Sequence, residues 1–176
     1  KTWLSNNDEA EKLMPAIKSL LGDADYHQLN RILVVNGPGS FTGLRIGVAT
    51  ANTIAHLVSC QLFAISTFDY WHLALQEKPG LALLVYAGSG GVYFQGKPVD
   101  LPDLPPLLKA QNVTQLFGDI TDAQKETIKD YEFLQVDQTF GQIISQVDFS
   151  ALKPQTIVKP LYVKKPSITI STKSLF

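Results

Sequence analysis

The run Gly37-Pro38-Gly39-Ser40-Phe41-Thr42-Gly43-Leu44-Arg45-Ile46-Gly47, continuing through Val48-Ala49-Thr50-Ala51, joins a strand-like segment to a long helical pattern. Ile32-Leu33-Val34-Val35 ahead of it is short, apolar and rich in β-branched side chains, which suits a strand covered on both faces. Asn36 to Gly39 end that strand with turn residues. Ser40 or Thr42 then offers an oxygen to one of the first free amides of the helix, a cap typically worth about 1 kcal/mol against alanine. The free N–H groups at such a junction lie at the positive end of a helix dipole, so the loop can bind an anion. Two features oppose a nucleotide loop. No Lys follows in a Gly-Lys-Ser/Thr pattern, and Gly37-x-Gly39-x-x-x-Gly43 lacks the Gly-x-Gly-x-x-Gly spacing of dinucleotide sites.

Strand and helix periods alternate along the rest of the chain. Asp8 with Glu11 predicts a capping box for a first helix reaching Gly22, with Leu13, Met14, Ile17, Leu20 and Leu21 on its apolar face and a kink at Pro15. The second helix is predicted over 42–59, with Leu44, Val48, Ala51, Ala55 and Val58 on one stripe. A strand over 62–66 and a helix over 67–76 lead to a boundary at Lys78-Pro79-Gly80. Beyond it, 81–87 and 92–95 bracket Gly88-Ser89-Gly90-Gly91 as a hairpin would, and 98–106 reads as a proline-rich loop. A short helix over 107–111, a strand over 113–117, a helix capped by Thr121 and Gln124, a strand over 133–136 and a helix over 140–147 complete the pattern. The alternation predicts an α/β protein with two small lobes, residues 1–79 and 80–150, and a tail over 151–176.

With 176 residues, 45% of them hydrophobic, and a mean hydropathy of +0.05, the chain can bury a core and is too apolar for disorder. No apolar run approaches the roughly 20 residues of a membrane span. The start shows no basic stretch leading into an apolar leader. A single cysteine, Cys60, cannot form an internal disulfide, which favours a reducing cytoplasm. All 16 acidic residues precede Ser150, whereas Lys153, Lys159, Lys164, Lys165 and Lys173 follow it. That tail either touches RNA phosphates or an acidic partner, or is simply a solvated terminus interrupted by Pro154, Pro160 and Pro166. The second reading is the simpler one.

Catalytic patterns are sparse. His27, His56 and His72 never stand at His-x-x-x-His spacing. His56 and Cys60 are four apart on the second helix, but two ligands do not make a zinc site. Ser40, Ser66 and Ser89 have no His or Asp at a spacing that suggests a triad, and Asp100 and Asp103 read as turn residues. Arg45 lies in the first turn of the second helix, where the dipole disfavours a cation. It therefore calls for a partner: an acid of this chain, a carboxylate on a binding protein, or a phosphate at the 37–42 loop.

The string from Gly37 to Ala51 resembles the hallmark of the bacterial TsaB (YeaZ) family. Weaker likenesses are Glu11-Lys12-Leu13-Met14-Pro15 on the first helix, Ser66-Thr67-Phe68, Gly118-Asp119, and Pro160-Leu161-Tyr162-Val163 for a closing Pro-x-Tyr-Leu motif. The resemblance implies an actin-like ATPase (ASKHA, ribonuclease H-like) fold and a non-catalytic subunit that dimerizes with TsaD. It also implies that the first two helices form the interface, through Leu13, Ile17, Leu20, Leu21, Leu44, Arg45, Val48, Ala51 and Ala55, and that they self-associate when TsaD is absent. By the same resemblance, TsaD and the ATPase TsaE carry the ATP and metal, tRNA is met through the complex, and this chain contributes no cofactor site.

Two departures qualify the likeness. The family's opening strand, Asp-Thr-Ser turn and hairpin would align before Lys1, so the chain reads as a trimmed piece with a shortened first lobe. Ala87-Gly88-Ser89-Gly90-Gly91-Val92-Tyr93 stands where the family writes Asp-Ala-Arg-x-x-Glu-Val-Tyr. The competing expectation is a self-sufficient ATP-binding enzyme or a glycoprotease-like hydrolase of the same superfamily. The first would need the Asp-Thr-Ser turn, the second a metal pair or a visible nucleophile.

Overall fold

The computed structural model describes residues 2–3, 8–22, 26–75, 78–88 and 90–163. Helix α1 (Glu9–Leu21) leads to strand β1 (Arg31–Val35), helix α2 (Phe41–Val58), strand β2 (Gln61–Ile65) and helix α3 (Thr67–Ala74). β1 and β2 pair in parallel, Ile32 opposite Leu62 and Val35 opposite Ile65, with α2 as the crossover. Val48, Ala51 and Ala55 of α2 pack on Leu62, Val158, Ile32 and Val34. β1 has no second strand partner among the described residues, and Ile32 to Val35 are half-buried rather than covered on both faces. Along its open edge α1 leans on α2 and leaves an apolar groove of about 350 Å³ lined by Leu13, Ile17, Leu21, Ile32, Leu33 and Ile54.

The second sheet combines β3 (Leu81–Tyr86), β4 (Gly91–Phe94), β5 (Lys97–Asp100), β6 (Gln115–Asp119) and β7 (Glu132–Phe133) in the order β5-β4-β3-β6-β7. β3-β4-β5 run antiparallel, and β6 and β7 are parallel to β3. Helices α4 (Leu104–Ala110), α5 (Asp122–Glu126) and α6 (Phe140–Ile144) complete the chain. One face buries Leu84, Val92, Leu104, Leu108 and Leu116 fully. The other, with Leu83, Val85, Tyr93 and Phe117, packs against Phe68 and Trp71 of α3, so α3 ties the two sheets together. Gly118 is held at φ 122°, where a Cβ would lie 2.0 Å from the Leu84 carbonyl oxygen, so the β3–β6 approach requires glycine.

Several elements differ from the sequence expectation. The stretch 98–106 is not a loop: Pro98 lies on the edge strand β5, and Pro105 and Pro106 open α4, two settings in which proline's missing N–H costs nothing. Asp8 forms no side-chain cap on α1 and pairs instead with Lys12 one turn on. α1 continues through Pro15, but Met14 and Leu20, 45% and 63% exposed, are not covered by the chain's own core. The segment after Ser150 is not a free terminus up to Val163. The Gln155 N–H donates to the Leu62 carbonyl at 2.8 Å, Val158 is 2% exposed, and the Leu161 N–H donates to the Asn36 carbonyl at 2.7 Å. Residues 155–163 thus form a strap across β2 and α2. Ser89, within the predicted hairpin turn, and the tail from Lys164 lie outside the described residues.

Candidate functional site

The 37–43 loop is fixed from three sides. β1 hands the chain to Asn36, whose N–H donates to the Ile65 carbonyl at 3.0 Å and whose side-chain amide donates to the Lys159 carbonyl at 3.1 Å. Gly37 stands at φ 113°, and a Cβ there would meet the Leu161 carbonyl oxygen at 2.8 Å and Leu44 Cδ1 at 2.9 Å. The Thr67 N–H donates to the Gly37 carbonyl at 2.8 Å and its hydroxyl to the Pro38 carbonyl at 2.6 Å, which fastens the loop to α3. Ser40, not Thr42, caps α2 by accepting from the Gly43 N–H at 3.4 Å. Gly37 and Pro38 are buried, Gly39 and Gly43 half-buried, and Ser40, Phe41 and Thr42 exposed.

Beside the loop, Asn52 of α2 binds the strap twice, donating to the Val158 carbonyl at 2.9 Å and accepting from its N–H at 2.8 Å. Phe41 meets Tyr162 of the strap with ring centroids 5.3 Å apart, and the Arg45 guanidinium lies 5.1 Å over the Phe41 ring. No acid among the described residues forms an ion pair with Arg45. Its cation is instead held over an aromatic face.

The helix residues singled out from the sequence separate into two groups. Leu13, Ile17, Leu21 and Leu44 are half-buried, and Leu20 and Arg45 are exposed. Val48, Ala51 and Ala55, at 3%, 8% and 6% exposure, belong to the core under α2. The exposed positions of α2 are Phe41, Thr42, Arg45, Ala49, Thr53, His56 and Leu57, the last 69% exposed.

A cleft of about 610 Å³ opens between the loop and the second sheet, lined among others by Ser40, Tyr70, Tyr86, Asp119, Thr121 and Phe140. Tyr70 stacks on Phe140 at 5.2 Å. Burial, and then the charge of Asp119, pushes the Tyr70 phenol above its ordinary pKa. No Lys, Arg or His lines this cleft among the described residues. Ser66 donates to Asp69 at 2.7 Å and accepts from its N–H, a capping box on α3 and not a nucleophile with its base. Cys60 is half-buried against the α2 core, and no cluster of three metal-ligating side chains occurs among the described residues. Asn36, Asn52 and Thr67 escape a reading by period because their partners lie far along the chain.

A family model described as TsaD: tRNA N6-adenosine threonylcarbamoyltransferase matches residues 4–103. The chain is 31% identical over 147 residues to a protein of Bacillus subtilis (strain 168) named tRNA threonylcarbamoyladenosine biosynthesis protein TsaB, a match covering 73% of this chain and 64% of that protein. A protein of the same name from Buchnera aphidicola subsp. Schizaphis graminum is 32% identical over 101 residues, 52% of this chain and 47% of that one. The chain thus spans less than two thirds of these relatives. Among solved structures, one titled as an uncharacterized protein with similarity to peptidase YEAZ from Pseudomonas aeruginosa superposes with a TM-score of 0.62 at 17% identity, covering 88% of this chain and 84% of that one.

Proposed function

The chain belongs to the TsaB (YeaZ) family and has its actin-like α/β fold, and from that premise we propose that it serves the threonylcarbamoyladenosine modification of tRNA as a non-catalytic scaffold that binds and activates a TsaD homologue. The observation that carries this reading is the exposed apolar row of α1. Leu20 and Met14 are 63% and 45% exposed on it. Exposed apolar surface of this kind is what a protein partner covers. The docking face consists of Leu13, Ile17, Leu20 and Leu21 of α1 with Leu44, Arg45, Ala49, Thr53 and Leu57 of α2. Val48, Ala51 and Ala55 support it from beneath. The same face serves a homodimer when the partner is absent.

ATP and metal belong, in this reading, to the TsaD and TsaE partners. The alternative of an independent ATP-using enzyme has less support, because the cleft presents aromatic rings, hydroxyls and the Asp119 carboxylate but no cation. The test is reconstitution with TsaD and TsaE homologues, threonylcarbamoyl-adenylate and an ANN-decoding tRNA transcript. Transfer that requires this chain, with no ATP turnover by the chain alone, is the expected result. Transfer at full rate without it, or ATP turnover that stays with the chain through purification, overturns the proposal.

A further inference from the structure

Two segments that meet at the motif loop carry no acid at all. Residues 26–68 and 149–176 contain neither Asp nor Glu, while every acid of the chain lies in 8–25 or 69–148. The first segment supplies β1, the loop, α2 and β2, and the second supplies the strap laid over them. Within these two segments every charged side chain is a cation, while Asp69 and Asp148 border the strap where they line a pocket with Asn36 and Leu161. Arg45 and Lys159 are exposed on it, and neither forms an ion pair among the described residues. Lys159 is brought beside the loop by the bond from the Asn36 amide to its carbonyl. Beside Arg45, and three residues along the strap from Lys159, stand Phe41 and Tyr162, 42% and 45% exposed and in contact with each other.

Cations with no acidic partner among the described residues, next to exposed aromatic rings, are what single-stranded nucleic acid recognises: phosphates meet the cations and a base stacks on a ring. A carboxylate-bearing protein would use the cations but would have no need of the paired rings. We propose that the Phe41–Tyr162 platform, with Arg45 and Lys159, is a contact site for a single-stranded RNA segment. The site shares Arg45 with the docking face and goes beyond the scaffold reading, in which RNA is met only through the complex. Arg45 and Lys159 each neutralise one phosphate, and Tyr162 carries the stacked base with Phe41 holding its ring in place.

The test is fluorescence anisotropy of a labelled, unstructured RNA heptamer with this chain alone, across a salt series, beside Arg45→Gln, Lys159→Gln and Tyr162→Ala. Circular dichroism and thermal melts establish that each variant is folded. The wild-type chain is expected to bind with an affinity that falls as salt rises. Arg45→Gln and Lys159→Gln should each reduce the salt slope by roughly 0.7, the value for one phosphate on a single strand. Tyr162→Ala should weaken binding about tenfold with the slope unchanged. No binding at low salt, folded variants that bind as the wild type does, or equal competition by a poly-glutamate peptide would each overturn the assignment. The last outcome would make the surface an acidic-protein site. Complex formation with the TsaD homologue, measured on the same samples, separates the two ideas. A chain that binds RNA but not TsaD keeps this site and loses the scaffold, and the reverse removes the site alone.

Discussion

Gly37 shows how one position sets the geometry of the whole motif. Its positive φ and its contact with the Leu161 carbonyl leave no room for a side chain, so Gly37→Ala is expected to cost at least about 2 kcal/mol in urea unfolding. Asn52→Ala should cost about 2 kcal/mol as well, because it leaves the amide and carbonyl of Val158 unpaired in a part-buried setting. Gly37 stands out in the sequence because turn glycines before a helix have a recognisable pattern. Asn52 does not, since its partner lies 106 residues away and no local period encodes that pairing. Tyr70 supplies a pH signature. Its phenol is held protonated in the fold, so the stability it contributes is complete below the ordinary tyrosine value of about 10 and is lost as pH rises through its raised folded value. Asp119→Asn should bring the phenolate absorbance transition part of the way back, because burial is the larger cause and remains.

The elements differ in how far local chemistry specifies them. The capping boxes at Ser66, Thr121 and Thr139 each combine a hydroxyl with an acid or amide three residues on, and their helices form where that pattern stands. Of these, the Thr121 box is the one the sequence reading picks out. The prolines of 98–106 mislead, because proline marks a loop, an edge strand or a helix start equally well, and only the neighbouring strand decides which. The strap misleads for the opposite reason. It has no regular hydrogen-bond ladder of its own, yet it anchors to Leu62, Asn36 and Asn52. Val158→Ala, in a site only 2% exposed, is expected to lower stability by about 2 kcal/mol even though it lies in an irregular segment. On the helices, Leu20→Asp should leave thermal stability within about 0.5 kcal/mol of wild type, as exposed substitutions do. Val48→Asp should unfold the first lobe, because it places a charge under α2.

Taken as one molecule, the two sheets meet through α3, whose Thr67 holds the motif loop and whose Phe68 packs edge-on against Tyr93 at 6.2 Å. The alternation of strand and helix foretells this α/β architecture. The exposure of Leu20 and Met14 cannot be read from the helical period, which groups them with Leu13, Ile17 and Leu21 on one apolar face of α1. The proposed docking of TsaD rests on that exposed face. The direct test is the light-scattering mass of this chain mixed with a TsaD homologue, for the wild type and for Leu20→Asp. A 1:1 complex that Leu20→Asp disrupts while the variant remains folded is the expected result. A wild-type chain that stays apart from TsaD, or a complex indifferent to Leu20→Asp, would contradict it.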